Sequence, residues 1–367
     1  MFKEKLNLIK QELRSYSSVQ RIFILCAMLC GFCISAEYAI VRPVSNSVFI
    51  HSYSSNFFPY AWLACVPLNL LIVSLYNRYL PRFGCLKMCY TILLTVMGGN
   101  VFFALFLNKI ACLPFLFYIW KEIYVLLMFQ QLWSVIHSTI EIKKAKYLYG
   151  IIFGVGGAGA VIGSLIPSFL AVKMGSETLL FLGIPFYCLL LFFYSKAVKN
   201  SDTLRSDNPL RELKEKSDLS FFSSLKSIRN SRFLIFIACI VVFMQLSATI
   251  IDFQFNSVLE QTIPDKDLRT QFCGRVLALV QLTTISLQVF GTFLLVHLLG
   301  LRRSHQAVPL TLCANAIGFL LFPVFQMISF SYVTIKASDF SLFGVIKEML
   351  YIPLKIDEKF RAKAIID

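Results

Sequence analysis

The chain has 367 residues, of which 57% are apolar, 15% aromatic and 15% charged, and its mean hydropathy is +0.71. That composition excludes a soluble globular protein of this size, because the apolar residues are bunched into runs long enough to cross a bilayer. A net charge of +15 would suggest nucleic acid in a soluble chain, but here the basic residues alternate from one inter-run segment to the next, which displaces nucleic acid as a partner and leaves the lipid bilayer.

In chain order, the amphipathic stretch Met1 to Arg21 contains Glu4 and Glu12 and precedes an apolar run of spanning length. It therefore reads neither as a cleavable signal nor as an organellar transit peptide. Apolar runs follow at 22–44, 57–76, 88–107, 113–137, 148–172, 177–195, 233–256, 276–299, 306–328 and 329–350, the last interrupted by Lys336 and Asp339. Since about 20 apolar residues of helix span the hydrocarbon, the expected fold is an all-α polytopic membrane protein with about ten transmembrane helices. Most of the 35 Lys and Arg residues fall on alternate segments: before run one, at Arg78, Arg82 and Lys87, at Lys143, Lys144 and Lys146, between Lys196 and Arg232, at Arg302 and Arg303, and from Lys347 to Lys363. By the positive-inside rule both termini are then cytoplasmic.

The longest polar interval divides six runs from four. The expected organisation is an N-terminal six-helix bundle over 1–195, a basic cytoplasmic linker over 196–232 and an incomplete C-terminal bundle over 233–367. This is the plan of major-facilitator-like transporters, whose two halves each hold six helices. The count of four leaves three alternatives open: a fragment, a truncated reading frame, or one part of an assembly in which a missing C-terminal segment or partner chain supplies the rest.

Charges well inside the runs fall only on the first, fourth, seventh and tenth: Glu37 and Arg42, Lys121 and Glu122, Asp252, and Lys336 with Asp339. A charge at the bilayer centre costs about 2.5–3.5 kcal/mol, so these residues are expected to face a wet cavity or a partner. The period of three marks a pore-lining set, and the chain reads as a carrier of something charged. Lys121 and Glu122 are adjacent, about 100° apart around a helix, so each is expected to need its own partner. The competing readings are that Lys121 snorkels outward along its stem and that Glu37, Arg42, Lys121, Glu122 and Asp252 form structural ion pairs between helices.

Other motifs read as packing. Cys30-Gly-Phe-Cys33 with Cys26 forms a stripe of small hydrophobes at helical spacing. Gly154-Val-Gly156-Gly-Ala-Gly159 has dinucleotide-loop spacing but no preceding strand, and with Gly163 it offers small-residue contacts between membrane helices. His51, His137, His297 and His305 are scattered, and no phosphate loop or metal-binding motif occurs. No cofactor and no enzymatic reaction are expected, and transport would be driven by a gradient or by exchange.

At Lys347-Glu-Met-Leu-Tyr-Ile-Pro-Leu354, followed by Lys359-Phe-Arg-Ala-Lys-Ala-Ile-Ile-Asp367, the chain resembles the ATP/ADP translocase family of intracellular bacteria and plastids. Weaker similarity runs through Tyr38 to Asn46, Gln131-Leu-Trp133, Ala145-Lys-Tyr-Leu-Tyr149 and helix seven at Asp252. Where the family commonly has a Lys-Asp pair after the helix-one arginine, this chain has Ser45-Asn46. Gln131 replaces a glutamate, Asn256 replaces a lysine, and Asp252 keeps a carboxylate. The resemblance implies twelve helices and ATP:ADP exchange across the bacterial inner membrane, with ATP and ADP as the transported substrates. Arg42, Lys121, Lys336 and Lys347 are then the candidate phosphate-binding cations, with Glu122 and Asp252 balancing the lysines when the cavity is empty. The alternatives are a carrier of another nucleotide or small anionic metabolite, and a non-transporting truncated remnant.

Overall fold

The computed structural model describes residues 17–139, 142–205, 231–288 and 292–344, together with 347 and 350. The amphipathic stretch before Ser17, the centre of the basic linker and the C-terminal motif from Tyr351 onward lie outside the described residues. Among those residues every element is helical.

The helices are α1 (Ser18–Tyr53), α4 (Leu113–Thr139), α5 (Ile142–Met174), α6 (Ile184–Arg205), α7 (Arg232–Thr262), α8 (Lys266–Ser286), α9 (Thr292–Leu321) and α10 (Phe325–Ser338). Between α1 and α4, the helical stretch Phe58–Phe106 is two helices joined at Gly84, whose φ of 75° only glycine adopts readily. Its two spans, Ser55–Leu80 and Arg82–Phe106, are α2 and α3. A 3-10 turn, Thr178–Gly183, leads into α6, and a π turn, Asp339–Phe343, follows α10.

Local chemistry sets several ends. Ser17 caps α1 by accepting from Gln20 N while the Gln20 side chain accepts from Ser17 N, a reciprocal capping box. Gly175, with φ at 82°, closes α5 through its N–H to the Ala171 carbonyl. Asp265 caps α8 by accepting from Leu268 N at 2.7 Å.

Helices α1 to α7 are each long and apolar enough to cross a membrane, which makes the chain a multi-pass membrane protein. Among the described residues α8 to α10 do not reach that threshold. Helix α8 carries Lys266, Asp267, Arg269 and Arg275, and among the described residues Val308–Leu321 of α9 is a shorter apolar stretch. The run expected at 276–299 falls partly on α8, which ends at Ser286, and partly on α9, which begins at Thr292; residues 289–291 lie outside the described residues.

The chain forms two compact units, one of Met1–Pro209 with Ile263–Ala278, the other of Leu210–Thr262 with Leu279–Asp367. In the first unit α1 is the central element, burying Cys26, Cys30 and Cys33 among apolar side chains from α3, α4, α5 and α6. All three are free thiols acting as small hydrophobes. Helix α5 lies close against α1 because of its glycines: a Cβ at Gly159 would stand 2.4 Å from the Phe32 carbonyl oxygen, and one at Gly163 would stand 2.0 Å from that of Ala36. The dinucleotide-like glycine spacing is thus a helix-packing face, as small residues in membrane helices commonly are. Gly163→Ala is expected to push α1 and α5 apart and lower stability by about 1–3 kcal/mol. Gly154→Ala, where nothing lies within 4 Å, should be neutral. Thermal unfolding in detergent separates the two, and an unchanged midpoint for Gly163→Ala would contradict the close approach.

Candidate functional site

In the first unit Lys121 of α4 is a buried cation, its side chain 1% exposed. Its Nζ donates to Asn46 Oδ1 on α1 at 3.0 Å, lies 3.0 Å from Glu122 Oε1, and sits 4.1 Å above the centre of the Tyr118 ring. The expectation that Lys121 and Glu122 cannot neutralise each other is therefore wrong. Their Cβ atoms diverge, but the four-methylene stem of one and the two-methylene stem of the other bend their charged ends together. Snorkelling is also excluded, because the ammonium is turned inward onto an amide and a ring. Glu122 remains about one-third exposed, so the pair has one buried and one accessible end.

Arg42 is half-buried on α1, four residues before Asn46 and so on the same helical face. Asn46, which stands where the family resemblance leads one to expect an acid, still supplies an acceptor to Lys121. An amide oxygen does this without adding a charge.

The second unit repeats the motif in other residues. Lys336 Nζ of α10 lies 2.6 Å from Asp252 Oδ2 of α7, with both side chains more than four-fifths buried. The ammonium is 5.9 Å from the centre of the Tyr332 ring, which in turn stacks on Phe255 at 4.3 Å. At the start of the π turn, Asp339 accepts from Gln245 Nε2 at 3.4 Å, and Lys336 and Lys347 are the cations whose charge acts on it. A π turn re-aims side chains relative to the α-helix before it, and such turns gather at functional positions. Asn256 donates to the Asp252 backbone carbonyl at 2.8 Å, while its Oδ1 and the Ser331 hydroxyl are buried without a hydrogen-bond partner.

Each unit thus holds its own part of the expected set: Arg42, Lys121 and Glu122 in the first, Asp252, Lys336 and Lys347 in the second. The neutral partners Gln245, Tyr118 and Tyr332 were not singled out from sequence, nor was Arg269 of α8, and Asn46 stood out only as a departure from the family pattern. Arg269 is 3% exposed and donates to the carbonyls of Ile263, Pro264 and Ser47. Close by in sequence, Lys266 pairs with Glu177, and Asp267 accepts from Ser176 N and Oγ, fastening α8 to the α5–α6 connection. The signal available for Asn46 was its spacing from Arg42; for Arg269 it was a lone arginine directly behind a Pro-Asp helix start. Gln131, standing where a glutamate is usual, is enclosed by hydroxyls. Tyr76 donates to its Oε1, and its Nε2 donates to Tyr194 Oη and the Cys85 carbonyl.

Comparison with known proteins places these features. The description "TLC ATP/ADP transporter" matches over residues 111–335. ADP,ATP carrier protein 3 of Rickettsia bellii is 22% identical over 68% of this chain and 57% of its own length. ADP,ATP carrier protein 1, chloroplastic, of Arabidopsis thaliana is 24% identical over 75% of this chain and 49% of its own. The chain therefore spans about half the length of these curated relatives. Among solved structures the nucleoside transporter NupG is similar in fold, with a TM-score of 0.56 at 13% identity, over 95% of this chain and 86% of that one. The expectation of a major-facilitator-like helical bundle is met by that similarity. The family match covers more than half of the residues, and the chain belongs to the TLC ATP/ADP transporter family.

Proposed function

We propose that the chain carries an adenine nucleotide across the bacterial inner membrane, exchanging ATP for ADP by alternating access. The observation that carries this reading is the repeated lysine–carboxylate pair, Lys121 with Glu122 and Lys336 with Asp252, each lysine resting near a tyrosine ring. A polyanionic cargo needs cations held in a low-dielectric setting, where pairing is strong. The lysines bear the cost of burial only while paired, so the carboxylates keep them charged until phosphate oxygens take their place. Arg42 and Lys347 complete the cation set. Tyr124 offers no ring face for stacking on a base, because it is fully enclosed and its hydroxyl is bound to Glu37. Tyr38 and Trp133 remain half-buried.

Uptake of labelled ATP into cells expressing the chain, with unlabelled competitors, tests the reading. ATP and ADP should both displace the label; failure of both to compete removes the exchange. A second reading, a less anionic cargo, is favoured by one observation: a neutral amide, Asn46, occupies the acceptor position on Lys121. Stronger competition by a nucleoside or monophosphate than by ATP would select it. Lys173→Ala, on an exposed residue at the end of α5, serves as the control and is expected to change uptake by less than about twofold, as a solvated surface charge should.

A further inference from the structure

Glu37 is an interior charge that the transport reading leaves unused. It lies midway along α1 and is 1% exposed. All of its hydrogen bonds converge on a single oxygen: Oε1 accepts from Tyr124 Oη of α4 at 2.9 Å, from Tyr187 Oη of α6, and from Asn100 Nδ2 of α3 at 3.3 Å. Trp120 Nε1 donates to Asn100 Oδ1 at 3.1 Å, which fixes that amide with its nitrogen toward the carboxyl. The second oxygen, Oε2, is buried with no hydrogen-bond partner among the described residues.

Among the described residues no cation pairs with Glu37. The groups facing it are the two tyrosines, the Asn100 amide and Gly183 of the α5–α6 connection, where an added Cβ would meet Glu37 Cγ at 3.4 Å. From α5 the neighbouring turn of α1 meets Gly163, packed on the Ala36 backbone. Only the tyrosines among these titrate, and they do so as neutral donors.

Two opposing demands follow. An ionised carboxylate here is desolvated without a counter-charge, an expensive state even with three donors. A protonated carboxyl keeps the Oε1 bonds and places its hydrogen on Oε2, where no acceptor waits, costing the smaller penalty of one unmade hydrogen bond. Neither state is fully satisfied, so modest movement of α4 or α6 decides which prevails. Tyr124 lies three residues beyond Lys121 on α4, so displacement of the lysine's partners by cargo acts on the same helical turn that holds the carboxyl.

We propose that Glu37 is a proton-binding site of the first unit, taking a proton onto its carboxyl and releasing it to water as the bundle works, so that cargo movement responds to the proton gradient. The gradient response rests on the transport reading above; the proton site itself does not. The step is a bare acid–base exchange between the carboxyl and water, and no other reactant is needed.

The test is pH-difference infrared spectroscopy of the full chain in lipid nanodiscs, without nucleotide, between about pH 5 and about pH 9, a span above the ordinary carboxyl range in which a buried carboxyl titrates. A protonated-carboxyl band should appear on acidification and be missing in Glu37→Gln, which retains the Oε1 acceptor. Tyr124→Phe should move the band's frequency, because it removes one donor to the same carbonyl; this variant keeps the proposal testable if Glu37→Gln fails to fold. Difference spectra identical in wild type and Glu37→Gln overturn it. In proteoliposomes, wild-type uptake should change with pH by up to about tenfold per unit, the limit for one proton, and Glu37→Gln should flatten that slope while still transporting. A wild-type protein with the infrared band and no uptake would refute the transport reading and the gradient response, leaving the proton site standing.

Discussion

Lys121→Ala lowers nucleotide uptake at limiting substrate by at least about thirty-fold, the loss expected when one member of a buried charged pair is truncated at a cost of about 2–5 kcal/mol. The effect should lie in affinity: the ammonium is a buried cation of the first unit, and neither partner, the neutral Asn46 nor the anionic Glu122, carries a positive charge to take its place. Insertion should survive, since Glu122 is accessible enough to remain solvated when its partner is gone. Lys121→Arg keeps the charge but not the compact ammonium seated over Tyr118, so partial recovery is expected. Arg42→Ala should also weaken uptake. Full uptake in both alanine variants, at normal membrane abundance, would take these residues out of the cargo site.

The second large effect concerns Asp252 and Lys336. Removing one partner of a buried ion pair commonly costs about 3–5 kcal/mol, because the other charge is left without compensation. Asp252→Asn and Lys336→Gln should therefore each lower the thermal midpoint markedly. The double variant should restore much of that loss, since two neutral amides bury more cheaply than one unpaired ion. Transport should part company with stability here: the double variant regains its fold but not its uptake, because the cation is gone. A double variant whose loss of stability equals the sum of the two single losses would show that the pair contributes nothing. One that transports normally would show that Lys336 has no role in cargo binding.

Much of the fold is legible in the chain, and the misses have identifiable causes. Hydropathy locates the residues that lipid would accept, whereas a helix ends where its backbone bonds end. Run one was therefore expected to stop at residue 44, yet α1 continues to Tyr53 through Ser45 and Ser47, which are fully buried against neighbouring helices. Similarly, the polar stretch between runs two and three read as a loop, but helix continues on both sides of a single bend at Gly84. The charges that matter were visible because lipid makes them costly; their partners were not. Gln245, Tyr118 and Tyr332 are neutral, and nothing in their local spacing says that an ammonium or a carboxylate will come to rest beside them. Adjacency misled in the case of Lys121 and Glu122, where helical angle was weighed and side-chain reach was not. The glycine run of α5 was read correctly because its setting, an apolar helix with no strand before it, left packing as the sufficient explanation.

Counter-exchange in proteoliposomes tests the central claim most directly. Purified chain is reconstituted into vesicles either empty or loaded with ADP, and labelled ATP is supplied outside. An exchanger accumulates label only in the loaded vesicles, with ADP leaving as ATP enters, and loses this activity in Lys121→Ala. Equal accumulation in empty and loaded vesicles, or none in either while the protein remains folded, would contradict it.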